Sequence, residues 1–354
     1  MQPPALATVT RLTNRNSQPT RALLMSINSF LIAVPLTIIA AAVLVFAGAI
    51  AINTAEQPHE MVSVTKAAQS IDRSDMPPLS HYTARDGATL AYRAYPADPE
   101  RVAVVVHGSV EGSSVMHAVS KTLQAEGITV YAPDMRGHGA SGRRGDIDYL
   151  GQLDDDLADL VAAIRPAHPH AKIELVGFSS GASFSARIAG GRYGELFDRY
   201  VLLSPTLSPG SPTVRANSGG WVSVALPRAI ALSILDRFGV HWFENLPIVL
   251  FATAPGSTDV TSSYSYRLAR NFGSGSDYVG DFRNCHGPMT VLIGSDDEIN
   301  IADRYAPLLT PVKPDLTIKI LPGIKHINLV SDPQALSAIA AAAAMPLEHK
   351  ADAK

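Results

Sequence analysis

The alternation of hydrophobic and polar positions changes rhythm three times along the chain. From Ala22 to Ala55 there is no charged residue, and Phe30 to Ile52 (FLIAVPLTIIAAAVLVFAGAIAI) is almost wholly apolar. Wound as a helix at ~1.5 Å per residue, this stretch reaches about 34 Å, enough to cross a hydrocarbon core of ~30 Å. Pro35 falls near its start, where a missing N–H does least damage. The stretch precedes the first recognisable strand and has no helical neighbours to hide it. The pattern therefore predicts an N-terminal tail over residues 1–28 and a transmembrane signal anchor over residues 29–52. Arg11, Arg15 and Arg21 precede the span, whereas Glu56, Glu60, Asp72 and Asp75 follow it. Basic residues favour the cytoplasmic side, so the expected topology is single-pass, N-terminus inside and the rest of the chain on the outer, periplasmic or extracellular side. A cleaved secretory signal, with Ala49-Ile50-Ala51 imitating its cleavage site, and an acid-free organellar transit peptide are the rival readings.

Residues 53–80 carry scattered charges and Pro77-Pro78, and read as a stalk. Next come HYTA (81–84), an Asp86-Gly87 hairpin turn and the alternating TLAYRAY (89–95), an antiparallel edge. Short apolar strands then alternate with helical stretches. The strands are RVAVVVH (101–107), ITVYAPD (128–134), KIELVG (172–177), RYVLLSP (199–205), PMTVLIG (288–294) and LTIKILPG (316–323). Between and after them lie helical stretches such as YLGQLDDDLADLVAAIRP, SGASFSARIAGG and the Ala-rich QALSAIAAAAAM, with another near IADRYAPLL. This alternation predicts an α/β fold, a mostly parallel sheet flanked by helices on both faces. One interruption is too long for a plain connection. The core is expected over 81–206 and 287–349, with residues 207–286 inserted as a cap over the carboxyl ends of the strands. The insertion has helical stretches of its own (WVSVALPRAIALSILDRFG, SYSYRLARNF), and the polar tail LEHKADAK is expected to fray.

Composition narrows the function classes. Apolar residues make up 46% and charged residues 17%, which permits a large core and excludes global disorder. A net charge of −3, with no Lys/Arg cluster, gives no reason to expect a nucleic-acid partner. The lone Cys285 rules out an internal disulfide and any multi-cysteine metal knuckle, and reads as a small apolar filler. There is no H-E-x-x-H, lysine-bearing phosphate loop or dinucleotide fingerprint, so neither metal nor other cofactor is expected.

Gly177-Phe178-Ser179-Ser180-Gly181 lies between a predicted strand and a predicted helix of small residues. A serine in such a tight turn is pushed out above the sheet edge, and its neighbours at −2 and +2 must lack bulk. The free N–H groups of the following helix favour developing negative charge. A serine hydroxyl needs a base, and His326, just beyond the last strand, emerges on the same edge as Ser179. The imidazole in turn needs an acceptor. Ser295-Asp296-Asp297-Glu298 follows PMTVLIG, and Asp297, with Asp296 second, is the expected orienting acid. The expected oxyanion donors are the backbone N–H groups of Ser180 and of Ser109, the latter in His107-Gly108-Ser109.

HGS at 107–109, Asp134-Met-Arg-Gly-His-Gly-Ala-Ser141, GFSSG at 177–181, GSDD at 294–297 and His326 together resemble the α/β-hydrolase superfamily, within it the lysophospholipase and monoacylglycerol-lipase-like group. The likeness runs from about residue 81 to 345, and the chain order Ser…Asp…His matches. It implies an α/β-hydrolase fold and a serine hydrolase that cleaves a carboxylic ester, lipid or small, through an acyl-enzyme on Ser179. Asp134, Arg136 and His138 would be structural or pocket-lining. The loop HGSVEGSS departs from the group's usual one and puts the carboxylate of Glu111 near the oxyanion region. An acyltransferase or thioesterase using the same three residues is the nearest alternative, and a non-catalytic ligand receptor or scaffold the alternative of another class. The expected partners are an acyl-ester or lipid substrate and, through the N-terminal helix, a membrane.

Overall fold

The computed structural model describes residues 18–254, 256–257 and 260–344. Arg11, Arg15 and the tail LEHKADAK lie outside the described residues. The chain divides into two units, one ending at Ile52 and the other beginning at Asn53. The first holds a single helix, Gln18–Ala51. Its portion Ala33–Ala51, of mean hydropathy 2.5, is long and apolar enough to cross a membrane, a test that a signal sequence also passes. The helix begins well before the apolar stretch, so Pro35 lies inside it rather than near its start, and its ring removes one backbone hydrogen bond from the ladder. The Thr37 hydroxyl donates to the Ala33 carbonyl (2.8 Å) just beside it.

The second unit is built on an eight-stranded sheet with the α/β-hydrolase architecture. Its strands are β1 (Leu79–Thr83), β2 (Thr89–Tyr95), β3 (Asp98–Val106), β4 (Ile128–Pro133), β5 (Lys172–Phe178) and β6 (Arg199–Leu203), followed after an insertion by β10 (Met289–Gly294) and β11 (Thr317–Leu321). The spatial order is β1-β2-β4-β3-β5-β6-β10-β11. The β1–β2 hairpin closes around Asp86-Gly87 and joins β4 antiparallel, while β4, β3, β5, β6, β10 and β11 run parallel.

Period-2 alternation divides one apolar run between two cores. In β3, Val102, Val104 and Val106 join the core under helices Gln152–Ile164 and Ser180–Ala189, whereas Ala103 and Val105 join the core under His117–Ala125 and Pro333–Ala344. Burial on both faces is why the central strands read as unbroken hydrophobic runs.

The insertion carries β7 (Val222–Val224), β8 (Pro247–Phe251) and β9 (Ser263–Ser265) as a three-stranded antiparallel sheet, with a helix at Leu226–Arg237 and short ones at Tyr266–Asn271 and Tyr278–Arg283. The expected helical stretches are therefore shorter than the pattern suggested. Val222 and Val224 are strand residues because they pair with β8, a partner some 25 residues on in the chain.

Residues 53–80, expected as a stalk, pack onto the rest of their unit. They hold the helix Val62–Gln69, and Val64 and Ile71 are buried. Gln57 donates to the Phe251 carbonyl (2.7 Å), Ser63 to Glu298 (3.3 Å), and Asp75 meets His117 Nε2 (2.9 Å). Arg73 pairs with Glu111 (3.1 Å). Two apolar anchors and these polar contacts hold the segment on the surface, despite its Pro-Pro punctuation.

Behind the sheet edge, Arg136 donates from Nε and Nη2 to Asp156 (2.8 Å each) and pairs with Asp86 (3.0 Å). Both Arg136 and Asp156 are buried. Arg136→Ala strands the Asp156 carboxylate, and urea unfolding should show a loss of about 3–5 kcal/mol. A loss below about 1 kcal/mol would mean that the pair is solvated.

Candidate active site

Ser179 follows β5 and precedes helix Ser180–Ala189, with φ 54° and ψ −120°. Positive φ is unfavourable for a residue with a Cβ and persists only where packing enforces it. The flanking glycines show how. A Cβ on Gly181 would lie 2.1 Å from the His107 carbonyl oxygen, and one on Gly177 would lie 2.4 Å from that of Gly181. The turn closes only because both positions lack side chains.

His326 lies beyond β11, at the start of the short turn Ile327–Val330. Its Nε2 is 2.9 Å from Ser179 Oγ, and its Nδ1 is 2.8 Å from Asp297 Oδ2. Ionised Asp297 accepts from Nδ1–H, which leaves Nε2 to accept the Ser179 hydroxyl proton. All three residues are buried. Of the three consecutive acids, Asp297 is the one that meets the ring. Asp296 is exposed and accepts from Ser295 Oγ (2.7 Å), while Glu298 accepts from the backbone N–H of His326 (2.9 Å).

Three residues that the sequence reading missed hold Asp297. Ser204, after β6 and itself at φ 49°, donates from Oγ to Asp297 Oδ2, and the backbone N–H groups of Ile299 and Asn300 both donate to Oδ1 (2.8 Å each). Burial works against ionisation of this carboxyl, but the neighbouring His326 and these hydrogen bonds outweigh it and hold its pKa at about 2. A serine directly after a strand end was the available signal for Ser204.

The loop after β3 lies against Ser179. A Cβ on Gly108 would come within 3.1 Å of Ser179 Cβ. His107 shapes this loop: Met135 N–H donates to its Nε2 (3.0 Å), so Nδ1 carries the hydrogen and donates to the Gly108 carbonyl (2.6 Å). Among the described residues, neither the Ser109 nor the Ser180 backbone N–H donates a hydrogen bond. The insertion grips the same loop. Trp221 Nε1 donates to Ser109 Oγ (3.2 Å), Thr261 N–H to the Val110 carbonyl (2.7 Å), and Val110 sits at φ 80°.

The segment after β4 supports these parts. Asp134 accepts from the backbone N–H groups of Ser113 (2.6 Å) and Ala140 (2.9 Å), and His138 Nε2 lies 2.5 Å from the Tyr264 hydroxyl of β9. Burial first, and then the neighbouring His107, holds the His138 pKa well below the usual histidine range. Cys285 is a buried thiol directed at the Gly287 carbonyl (3.5 Å).

A chamber of about 140 Å³ opens beside this loop, walled by Gly108, Ser109, Val110 and Phe178, by Trp221 of the insertion, and by Val64, Thr65 and Ala68 of helix Val62–Gln69. Its lining is mainly apolar, with Glu111 and Gln69 among its polar members. Among the described residues one cluster has metal-ligand spacing, Asp236, His241 and Glu244. His241 Nδ1 already lies 2.8 Å from Glu244, so an ion pair accounts for it.

The family model for "Serine aminopeptidase, S33" matches residues 97–334. The chain is 33% identical over 112 residues to a monoacylglycerol lipase from Mycolicibacterium smegmatis, covering 31% of this chain and 40% of that relative. The match thus spans well under half of the relative's length. Among solved structures, a monoglyceride lipase from Saccharomyces cerevisiae superposes with a TM-score of 0.57 at 17% identity, covering 76% of this chain and 94% of that one. A monoacylglycerol lipase from Paleococcus ferrophilus gives 0.54 at 18% identity, covering 72% and 99%. At such identities the superpositions speak for the fold.

The depressed pKa of Asp297 sets a pH signature. A carboxyl whose folded pKa lies below its unfolded value adds stability above the unfolded value and loses it as pH falls through the folded one. Between about pH 5 and about pH 2.5, wild type should lose on the order of 1–2 kcal/mol more than Asp297→Asn in urea unfolding. Parallel acid losses in both proteins would mean that Asp297 is not held ionised.

Proposed function

Since the chain belongs to the serine aminopeptidase S33 family of α/β-hydrolases, we propose that it is a serine carboxylic ester hydrolase with Ser179 as nucleophile, His326 as base and Asp297 as orienting acid. The observation that carries this reading is the continuous line from Ser179 Oγ to His326 Nε2 (2.9 Å) and from Nδ1 to Asp297 (2.8 Å). Ser179 Oγ attacks the ester carbonyl while His326 takes the hydroxyl proton. The tetrahedral oxyanion is held by the N–H groups of Ser109 and Ser180, and collapse expels the alcohol with the proton from His326. Water, deprotonated by His326, then attacks the acyl-enzyme; the acid leaves and Ser179 regains its proton.

The small apolar chamber beside Ser109 favours an acyl group over a bulky polar one. At about 140 Å³ it lies below the ~300–1,000 Å³ usual for drug-sized ligands, which favours short or slender acyl chains. In this reading residues 207–286 act as a cap on a core formed by 81–206 and 287–349. The apolar N-terminal helix acts as a signal anchor, with the catalytic unit on the outer side of the membrane.

Full-length protein should hydrolyse 4-nitrophenyl butyrate and react with a fluorophosphonate probe. Ser179→Ala should abolish labelling and cut turnover by at least about 10³-fold, and Asp297→Asn by about 10⁴-fold. Equal hydrolysis by wild type and Ser179→Ala would refute the assignment.

A further inference from the structure

Thr65 and Ala68 lie three residues apart on helix Val62–Gln69, and Val64 lies four before Ala68, so all three share one face. That face fronts the apolar chamber. Phe178, Gly108, Ser109 and Ile327 belong to the remaining wall. Phe178 and Ile327 are the chain neighbours of Ser179 and His326. The chamber is therefore bounded by the immediate neighbours of the site and by a helix that precedes the first strand. That helix also lies ahead of residues 97–334, the part of the chain the family model matches.

Both ends of the helix are tied to the loops of the site. At its start Ser63 Oγ donates to Glu298 Oε1 (3.3 Å), and Oε2 of the same carboxylate accepts from the His326 backbone N–H (2.9 Å). At its end Arg73 donates from Nη1 to the Ala68 carbonyl (3.0 Å) and from Nη2 to Glu111 (3.1 Å). The Glu111 N–H in turn donates to the Ser109 carbonyl (3.0 Å). A helix of eight residues is too short to be stable by itself in water. These ties and the burial of Val64 hold it in place beside the Ser109 loop. Thr65 and Ala68 are half-buried against the open space of the chamber, whereas Lys66, on another face, is exposed and does not line it.

We propose that helix Val62–Gln69 gauges the acyl chain, and that Thr65 and Ala68 are specificity-determining residues for an ester with an unbranched apolar acyl group. The acyl chain lies in the chamber, and the small side chains at 65 and 68 set how many methylenes it holds. This deepens the ester-hydrolase reading and rests on it for the position of the scissile carbonyl. A wall binds the chain alike in ground state and transition state, so it selects among substrates and leaves the chemical step alone.

The test measures kcat/KM for 4-nitrophenyl acetate, butyrate, hexanoate and octanoate in full-length wild type, Ala68→Leu, Thr65→Leu and Lys66→Leu. Each methylene expelled from an apolar site costs roughly fourfold. The ratio of the best wild-type substrate to the acetate should therefore fall by about tenfold in Ala68→Leu and in Thr65→Leu, and stay within about twofold of wild type in Lys66→Leu. A wild type that prefers acetate, ratios unchanged in both wall variants, or an equal shift in Lys66→Leu would overturn the proposal. Thr65→Leu decides should Ala68→Leu fail to fold. Calorimetric titration of hexanoate into Ser179→Ala, with and without Ala68→Leu, needs no turnover. Hexanoate binding that Ala68→Leu weakens, without any ester hydrolysis by wild type, would uphold the gauge and refute the hydrolase reading. Hydrolysis whose chain-length profile ignores positions 65 and 68 would do the reverse.

Discussion

A serine held at φ 54° stays there only because its surroundings leave the chain no other path. A backbone outlier of this kind costs roughly 1–3 kcal/mol. Here the compensation is local: β5 enters from the buried sheet, and the helix that follows lies so close to the His107 carbonyl that no Cβ fits at Gly181. The same closeness that forces the turn brings Gly108 against Ser179. The Ser179 turn and the loop at Gly108 are therefore one packing problem, solved once. A side chain at either glycine would displace both together.

Sheet order explains why four side chains from distant parts of the sequence meet. Ser179, Ser204, Asp297 and His326 follow β5, β6, β10 and β11, which are consecutive neighbours in the sheet and all parallel. Parallel strands deliver every carboxyl end to one edge, and the loops there need to be only a few residues long. The long insertion between β6 and β10 interrupts the sequence but not the sheet, because those two strands pair directly. Its own sheet then returns over the edge, through Trp221, Thr261 and Tyr264, to hold the loop after β3 and His138.

Much of this was legible because local sterics and strand rhythm determine it. Ser179 could be read from two glycines at a strand-to-helix junction, and His326 from its place beyond the last strand. That Asp297 rather than Asp296 meets the imidazole required the fold, since the choice is made by hydrogen bonds from Ser204, Ile299 and Asn300. The chamber was not legible at all. Helix Val62–Gln69 looked like a spacer because its burial rests on few apolar residues. Pro35 misled for a related reason: apolar composition marked where the greasy stretch begins, but the helix starts earlier, among more polar residues.

The packing of residues 62–75 against their own unit also decides where the chain can be severed without harm. A protease acting between Ile52 and Val62 would release the second unit with the walls of its apolar chamber intact. A cut just after Ala68 would sever Val64, Thr65 and Ala68 from the rest of the unit and open the chamber to water. One short helix thus decides the outcome, and the position of the cut determines whether the liberated unit keeps its chamber closed.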